Sequence, residues 1–404
     1  MEKVFENFSY LMQTEIVFGK DTELKTAELI KKYGGTKVMI VMDGGGFVKA
    51  SGLFDRVANN LKEAGIPFVE LEGVQPNPRL TLALKGIDIC RAEGVDFLLA
   101  IGGGSTIDTA KTIALQLTYD GDVMDFYTGS VPETMMPVGA IATIAATGSE
   151  TSGSAVIYDD INRHTKLGNM FNHIRCKFAI CNPEITYTLP AFQTGAGAAD
   201  MLCHAFDSYF MFSNTYMGDQ FSEACMRCAV KYGPLAIKDP TNYEYRSELL
   251  LCSEFAHNDT CRIGRDTAFY KISGGTHALE THMTAVFDTA HGAGLSVLMP
   301  AILQNAIDND ETTVYKVAQF ANRVFDVEID PFDLKVTAQR GIDRFRDWLK
   351  SLGMPTTLTE LARREITDAD IENIISPFKG CAYAPMFGHF QEADIKRLFE
   401  SVRK

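Results

Sequence analysis

Two different patterns of hydrophobic and polar positions divide the chain. In the first half, short apolar runs alternate with segments whose apolar residues recur every three or four positions. The runs are typical of strands buried in a parallel sheet, and the three-to-four spacing is typical of helices. Strands are predicted at residues 37–43, 67–71, 97–101, 138–144 and 177–181, and helices at residues 53–64 and 79–93. This half therefore predicts an α/β fold with a parallel sheet covered by helices on both faces.

Strand-like runs nearly disappear after Pro190. Long segments with helical spacing replace them, at residues 217–232, 246–258, 312–325 and 333–352. We therefore predict two domains, an α/β domain at residues 1–185 and an all-helical domain at residues 186–404.

The composition is that of a soluble globular protein, with 46% hydrophobic and 22% charged residues. A formal net charge of −14 argues against nucleic acid or an anionic membrane as the main partner. No apolar run reaches the roughly 18 residues of a spanning helix, and the N-terminus lacks a basic region followed by an apolar one, which predicts a cytoplasmic location. The nine scattered cysteines favour reduced thiols. Cys225 and Cys228 form a C-x-x-C pair that we interpret as helix packing, since no second pair completes a zinc site.

Glycine-rich or hydroxyl-rich loops follow three of the predicted strands. In IGGGSTIDTAK, at residues 101–111, glycines leave a strand and Ser105 opens a helix, so that backbone N–H groups and the positive helix end suit a pyrophosphate. A second cluster, DGGGFVK at residues 43–49, should leave the same edge of the sheet, and two such turns predict a nucleotide-binding crevice. The loop ATGSETSGSAVI offers the hydroxyls of Thr147 and Ser149 for contacts with phosphate or nicotinamide, although a simple turn into a predicted strand at residues 155–158 explains them equally well.

Four possible metal ligands lie in the second half of the chain. Asp200 and His204 are four residues apart on a predicted helix and should share one face. His277 and His291 are fourteen positions apart, or roughly 21 Å on one unbroken helix. The chain must therefore break between them if both bind one ion, and loop-prone residues are available there at Asp288, Thr289, Gly292 and Gly294. One carboxylate and three imidazoles suit Fe(II) or Zn(II), although an aspartate and a histidine four apart occur by chance in many helices.

Together these motifs resemble the iron-containing (group III) alcohol dehydrogenases, with the butanol dehydrogenase-like branch nearest. The resemblance is carried by FGK at 18–20, GGGS at 102–105, TGSE at 147–150, NPEITYTLP at 182–190, and the four possible metal ligands. It implies the dehydroquinate synthase-like fold, in which a metal lies between an α/β nucleotide-binding domain and a helical domain. It also implies hydride transfer between NAD(P)(H) and a primary alcohol or its aldehyde, and a homodimer.

The resemblance assigns roles to particular residues. Asp200, His204, His277 and His291 would hold the metal. The cofactor-binding residues would be Gly45, Gly46, Phe47, Asn77, Gly103, Gly104, Ser105, Thr147, Ser149, Lys166 and Leu189. Within that set Lys166 would reach the nicotinamide ribose and Leu189 would pack near the nicotinamide. The substrate pocket has no motif, and Gly294, Phe269 and Phe390 are candidates for it.

The sequence departs from the family pattern at the residue proposed to move the alcohol proton. Family members often carry a histidine four residues after the third ligand, whereas Thr281 stands there in this chain. His282, one residue later, is the candidate catalytic residue, although one residue is about 100° of helix rotation.

The nucleotide preference depends on the residues around the second glycine cluster. Glycines leave room for a 2′-phosphate that Lys49 could neutralise, which favours NADP. Asp43 could instead accept a ribose hydroxyl of NAD and repel the phosphate. On balance the sequence predicts NADP, with NAD as the alternative.

Three other functions remain open on the same residues. The first is a polyol oxidoreductase similar to glycerol dehydrogenase. The second is a lyase similar to dehydroquinate synthase, which calls for more Lys and Arg near the metal than this sequence offers. The third is a non-catalytic binding protein with a degenerate site.

Overall fold

A computed structural model of the protein describes residues 7–211, 215–265, 275–379 and 392–404. The chain forms two compact units. The first, the sheet unit, contains Leu11–Thr188 and Thr241–Asn258. The second, the helical unit, contains Leu189–Pro240, Asp259–Lys404 and the N-terminal residues up to Tyr10.

A six-stranded, fully parallel sheet forms the centre of the sheet unit, with the strand order β1–β8–β5–β4–β2–β3. Strands β6 and β7 form a separate antiparallel pair. The strands are β1 Glu15–Phe18, β2 Val38–Asp43, β3 Phe68–Val74, β4 Phe97–Gly102, β5 Val138–Ala142, β6 Ser154–Asp159, β7 Thr165–Met170 and β8 Phe178–Cys181. The predicted parallel sheet is confirmed, whereas β1 and β7 were not predicted.

Helices cover both faces of this sheet because its inner strands are apolar on both sides. The helices of the unit are α1 Thr26–Lys32, α2 Phe47–Ala50, α3 Leu53–Glu63, α4 Leu80–Glu93, α5 Gly104–Gln116 and α8 Tyr243–Ala256. On β2, Met39 and Val41 belong to the core beneath α4 and α5, while Val38 and Ile40 belong to the core beneath α1 and α3. Continuous apolar strands of this kind are those of a parallel sheet buried between two helical layers.

Helix α8 comes from the second half of the sequence but packs in the sheet unit. Its Leu250 lies in one apolar cluster with Ala142 of β5 and with Ala179 and Cys181 of β8. The predicted division into domains at residues 185 and 186 stays a prediction, and it did not anticipate this return of the chain.

The helical unit is built around α6, which is buried from Thr194 to Tyr209. Its helices are α6 Ala191–Tyr209, α7 Tyr216–Lys238, α9 Gly275–Phe287, α10 His291–Asn309, α11 Val314–Phe325, α12 Leu334–Ser351, α13 Leu358–Ala362, α14 Asp368–Ile375 and α15 Glu392–Ser401. Among the described residues, no helix is both long and apolar enough to cross a bilayer.

Candidate metal centre and cofactor loops

Helix α6 presents the first two possible ligands to the interior of the helical unit. Asp200 and His204 are only 3% and 4% exposed. As their four-residue spacing predicted, they face the same way, and Nε2 of His204 lies 3.3 Å from Oδ1 of Asp200.

Helix α9 carries His277, and a short break after this helix brings in His291. Residues 288–290 separate α9 from α10, and Asp288 has a left-handed φ of 48°. His277 lies near the start of α9 and His291 is the first residue of α10. A side chain at Gly292 would place its Cβ 2.0 Å from the Ala196 carbonyl oxygen of α6. Glycine therefore allows α10 to approach α6 closely and sets His291 beside that helix.

Three imidazole rings converge on one carboxylate oxygen, Oδ1 of Asp200. Oδ1 of Asp200 lies 3.3 Å, 3.7 Å and 3.9 Å from Nε2 of His204, His277 and His291 respectively. Four ligands at about 2.0–2.1 Å from one ion in a tetrahedron stand about 3.4 Å apart. The ligand atoms of Asp200, His204 and His277 all lie within 4.8 Å of one another, which is close enough for the three to share one divalent ion. His291 approaches this group through its 3.9 Å distance to Asp200.

Two buried polar atoms of this cluster lack hydrogen-bond partners among the residues that the structure describes, as expected where a cation binds. Within the described part of the chain, neither Oδ1 of Asp200 nor Nε2 of His277 has a hydrogen-bond partner. Buried polar atoms are nearly always paired, and such exceptions point to an ion or a water. Burial lowers the pKa of His277, but Cys203, Asp200 and Asp207 raise it, and the resulting pKa is well above its ordinary value. The surroundings of this ring therefore attract positive charge.

His282 is not drawn into this cluster. Its ring packs edge-on against Phe378, with 4.7 Å between ring centroids, and burial lowers its pKa. Thr281, at the position where the family often has histidine, donates its hydroxyl to the carbonyl oxygen of His277 at 2.8 Å. The catalytic role of His282 stays a prediction, and the contacts of both residues are structural.

The first glycine turn forms a bare backbone cradle at the start of α5. A Cβ on Gly103 would lie 2.8 Å from the Ile144 side chain, and one on Gly104 would lie 2.6 Å from the Thr147 hydroxyl. Only glycine fits there, and Ser105 follows in the first turn of α5. Exposed N–H groups at a helix start bind a pyrophosphate well.

The second glycine turn leaves the same edge of the sheet, as predicted. Asp43 ends β2, and the parallel register of β2 and β4 places it beside the first turn. The carboxylate of Asp43 accepts the N–H groups of Phe47 at 3.2 Å and Val48 at 3.4 Å. Gly45 and Gly46 are exposed in this turn, and Asn77, with a left-handed φ of 58°, lies in the turn after β3 at the same edge.

Lys49, the possible partner of a 2′-phosphate, is paired with two carboxylates of the neighbouring strand. Its Nζ lies 2.8 Å from Oε2 of Glu70 and also pairs with the carboxylate of Glu72. The lysine that could have neutralised a 2′-phosphate is thus already paired with two carboxylates of β3.

The third loop is held from within by a buried lysine that sequence reasoning missed. Nζ of Lys111 donates to the carbonyl oxygens of Ser149, Ser152 and Ser154 at 2.7–2.9 Å. The Ser149 hydroxyl donates to Asp108 at 2.6 Å, so it serves the loop itself. Nothing in the sequence distinguishes this lysine from a surface one.

The remaining predicted residues are placed as follows. Lys166 lies on β7, paired with Tyr158 of β6, and Leu189 is half-buried just before α6. Gly294 packs against Glu280, where a Cβ would lie 2.6 Å from Oε1. Phe269 and Phe390 lie outside the described residues.

A glycine turn that opens a helix and a carboxylate–imidazole cluster, present in one chain, are features of metal-dependent nicotinamide dehydrogenases. Residues 13–183 match the profile of the iron-containing alcohol dehydrogenases, and residues 194–402 match that of the family's C-terminal region. The chain belongs to the iron-containing alcohol dehydrogenase family, which confirms the predicted family. It is therefore an NAD(P)-dependent oxidoreductase of alcohols and aldehydes.

Particular relatives narrow the comparison. The chain is 39% identical over 364 residues to NADH-dependent butanol dehydrogenase B of Clostridium acetobutylicum, a match that covers 89% of this chain and 90% of the relative. It is 30% identical to NADPH-dependent aldehyde reductase YqhD of Escherichia coli, covering 88% and 89% of the two chains. The crystal structure of NADH-dependent butanol dehydrogenase A from Thermotoga maritima matches with a TM-score of 0.90 at 31% identity, over 100% of both chains.

Proposed function

We propose that this protein is an NADH-dependent reductase of short aliphatic aldehydes such as butanal, and that it oxidises the corresponding primary alcohols in reverse. Asp200, His204, His277 and His291 would hold one divalent ion, Fe(II) or Zn(II). The observation that carries the proposal is the approach of three imidazole Nε2 atoms to one buried carboxylate oxygen. The names of the relatives support this activity over polyol oxidation, lyase chemistry or non-catalytic binding.

Each part of the chain would have a defined task in this reaction. A divalent ion, when bound, supplies a Lewis acid that stabilises negative charge developing on the substrate oxygen. The nicotinamide carries the hydride, and the protein supplies binding and orientation. Gly103 and Gly104 would hold the pyrophosphate on the helix start of α5, and Lys111 would keep the neighbouring loop in shape. Thr281 lacks an imidazole, so it offers no histidine-like proton relay.

Three observations support NADH as the nucleotide, in place of the NADP that the glycines alone favour. Lys49 is paired with Glu70 and Glu72, which leaves a 2′-phosphate without its counter-charge. Phe47 offers no hydroxyl to such a phosphate. Asp43 places a carboxylate at the end of β2, where it would accept a ribose hydroxyl and repel a phosphate.

The proposal is tested by following the oxidation of NADH and of NADPH by butanal. Metal-depleted protein should be inactive, and Fe(II) or Zn(II) should restore activity with a higher kcat/KM for NADH than for NADPH. His204→Ala should stay inactive after the same treatment. Absence of NADH oxidation after metal is restored would reject the proposal, and faster use of NADPH would reject its nucleotide part.

We also propose a cytoplasmic homodimer. The acidic composition and the scattered cysteines support the location, and the family resemblance supports the dimer. Light scattering on purified protein should give about twice the chain mass of 44.5 kDa, and a monomer at that mass would reject the dimer.

A further inference from the structure

We propose that Asp207 and Glu280 are positioning residues, which orient two of the metal-binding histidines and add negative charge behind them. This inference rests on the proposed metal centre. The two carboxylates lie on the far side of the His277 and His291 rings from Asp200. Each contacts the Nδ1 atom of its ring, while the Nε2 atom points towards Asp200.

Asp207 orients His277 from helix α6. Its Oδ2 lies 2.7 Å from Nδ1 of His277, and the aspartate is 1% exposed. The same carboxylate accepts the backbone N–H groups of Thr276 at 3.1 Å and of His277 at 3.3 Å. It therefore fixes both the first turn of α9 and the ring of its histidine. Asp207 is seven residues after Asp200, which places both carboxylates on one side of α6.

Glu280 orients His291 from helix α9. Its Oε2 accepts a hydrogen bond from Nδ1 of His291, and its Oε1 accepts one from the hydroxyl of Thr284. The side chain is fully buried. Gly294 leaves the space that this carboxylate occupies, because a Cβ there would lie 2.6 Å from Oε1.

The two pairs together brace three helices around the candidate metal position. Asp207 joins α6 to α9, and Glu280 joins α9 to α10. A carboxylate accepts only from a protonated ring nitrogen, so each contact places a proton on Nδ1, and in the neutral ring the lone pair is then on Nε2. Those Nε2 atoms are the ones that face Asp200. Carboxylates behind ligating histidines also raise the basicity of the ligand, and their loss typically lowers metal affinity about 10- to 100-fold.

The first test needs no variant. In Zn(II)-loaded protein with ¹⁵N-labelled histidine, the ring nitrogen shifts of His277 and His291 should show a protonated Nδ1 and a metal-bound Nε2. Coordination through Nδ1 in either ring would overturn the inference.

The second test measures Zn(II) affinity by competition with a chelating dye. Asp207→Asn and Glu280→Gln should each weaken binding about 10- to 100-fold. The matched control is Asp219→Asn, which also removes a buried carboxylate of the helical unit. Asp219 pairs with Arg265 at 2.6 Å and Lys316 at 2.5 Å, so its loss should leave the affinity unchanged.

A double-mutant cycle separates positioning from general damage to the fold. If Glu280 acts through His291, Glu280→Gln should change the Zn(II) affinity less than about twofold in a His291→Ala background. An undiminished effect there would overturn the inference, as would wild-type affinity in both single variants. Wild-type protein that binds no Zn(II) would instead reject the metal centre of the proposed function.

Discussion

A single carboxylate, that of Asp43, should decide the choice between the two nucleotides. A like charge a few ångströms from a 2′-phosphate costs about 1–4 kcal/mol near a protein surface. We expect Asp43→Asn to raise kcat/KM for NADPH relative to NADH by about tenfold or more, since tenfold corresponds to about 1.4 kcal/mol. Asparagine keeps an oxygen that can accept the Phe47 N–H, so the turn should survive. Steady-state kinetics with both nucleotides measures the ratio.

The control for this change is Asp55→Asn, which removes an exposed charge from α3 in the same unit. It should leave the NADPH to NADH ratio within about twofold of wild type, as expected for a distant, independent site. Equal shifts in the two variants would mean that net charge, and not the position of Asp43, sets the preference.

At the scale of elements, the third cofactor loop depends on a close approach between Gly148 and α8. Gly148 has a φ of 58°, and a Cβ there would lie 2.2 Å from the Ser253 carbonyl oxygen. The ring of His257 lies beside the same turn and contacts the Thr147 carbonyl oxygen at 2.7 Å. We expect Gly148→Ala to displace the loop and to raise KM for NADH about tenfold or more, a loss of about 1.4 kcal/mol.

The matched control is Gly34→Ala, because Gly34 also has a positive φ, 83°, but nothing lies within 4 Å of its Cβ position. That variant should lose only the 1–2 kcal/mol or so that a left-handed alanine costs, with an unchanged KM. If both variants raise KM equally, backbone strain and not the contact with α8 controls the loop.

The start of α14 should make stability depend on pH. Hydrogen bonds from the Arg364 guanidinium and, to a smaller extent, from the Thr367 N–H hold the pKa of Asp370 below its ordinary value. The stabilisation is therefore present above the ordinary carboxyl pKa and is lost as the pH falls through the lowered one. Asp370→Asn should cost about 1 kcal/mol at neutral pH, as expected for a lost helix cap. The difference from wild type should shrink in acid.

The free energy of unfolding of wild type and of Asp370→Asn is measured by thermal unfolding, from neutral pH down into acid. Glu365→Gln, which changes an exposed neighbouring carboxylate, should parallel wild type at every pH. A difference between wild type and Asp370→Asn that grows in acid would contradict the assignment.

The hydrophobic pattern of each strand and helix explains which of them could be predicted from the sequence. Central strands such as β4 are apolar on both faces, which made them recognisable. Strand β7 reads TKLGNM, with Leu167 and Met170 as its only apolar side chains, and so lacked the apolar run of a buried strand. Helix α8 was predicted as a helix, but its place in the sheet unit depends on Leu250 meeting β5 and β8, which no local pattern contains.

Only part of the candidate metal centre could be predicted, because some of its contacts join segments that are distant in the sequence. Asp200 and His204 share a helix, and the family resemblance assigned His277 and His291, already candidates from the sequence, to the same ion. Asp207 could have been found from its seven-residue spacing after Asp200. Glu280 could not, because its partner His291 lies beyond a chain break whose geometry depends on Gly292.

For the whole molecule, binding of the metal should add to stability. Because all four candidate ligands belong to folded helices, an ion that binds only the native state stabilises it by about 2.7 kcal/mol at a hundredfold excess over Kd. Wild-type protein should therefore unfold at a higher temperature with Zn(II) than after chelation. His277→Ala should show little or no such shift, and an equal shift in that variant would contradict this ligand set.

The most direct measurement of the central claim is anomalous diffraction from a crystal soaked in Zn(II) and recorded at the zinc absorption edge. The account predicts one strong peak at about 2.0–2.2 Å from Oδ1 of Asp200 and from the Nε2 atoms of His204, His277 and His291. A zinc peak bound elsewhere, with none among these four side chains, would contradict it.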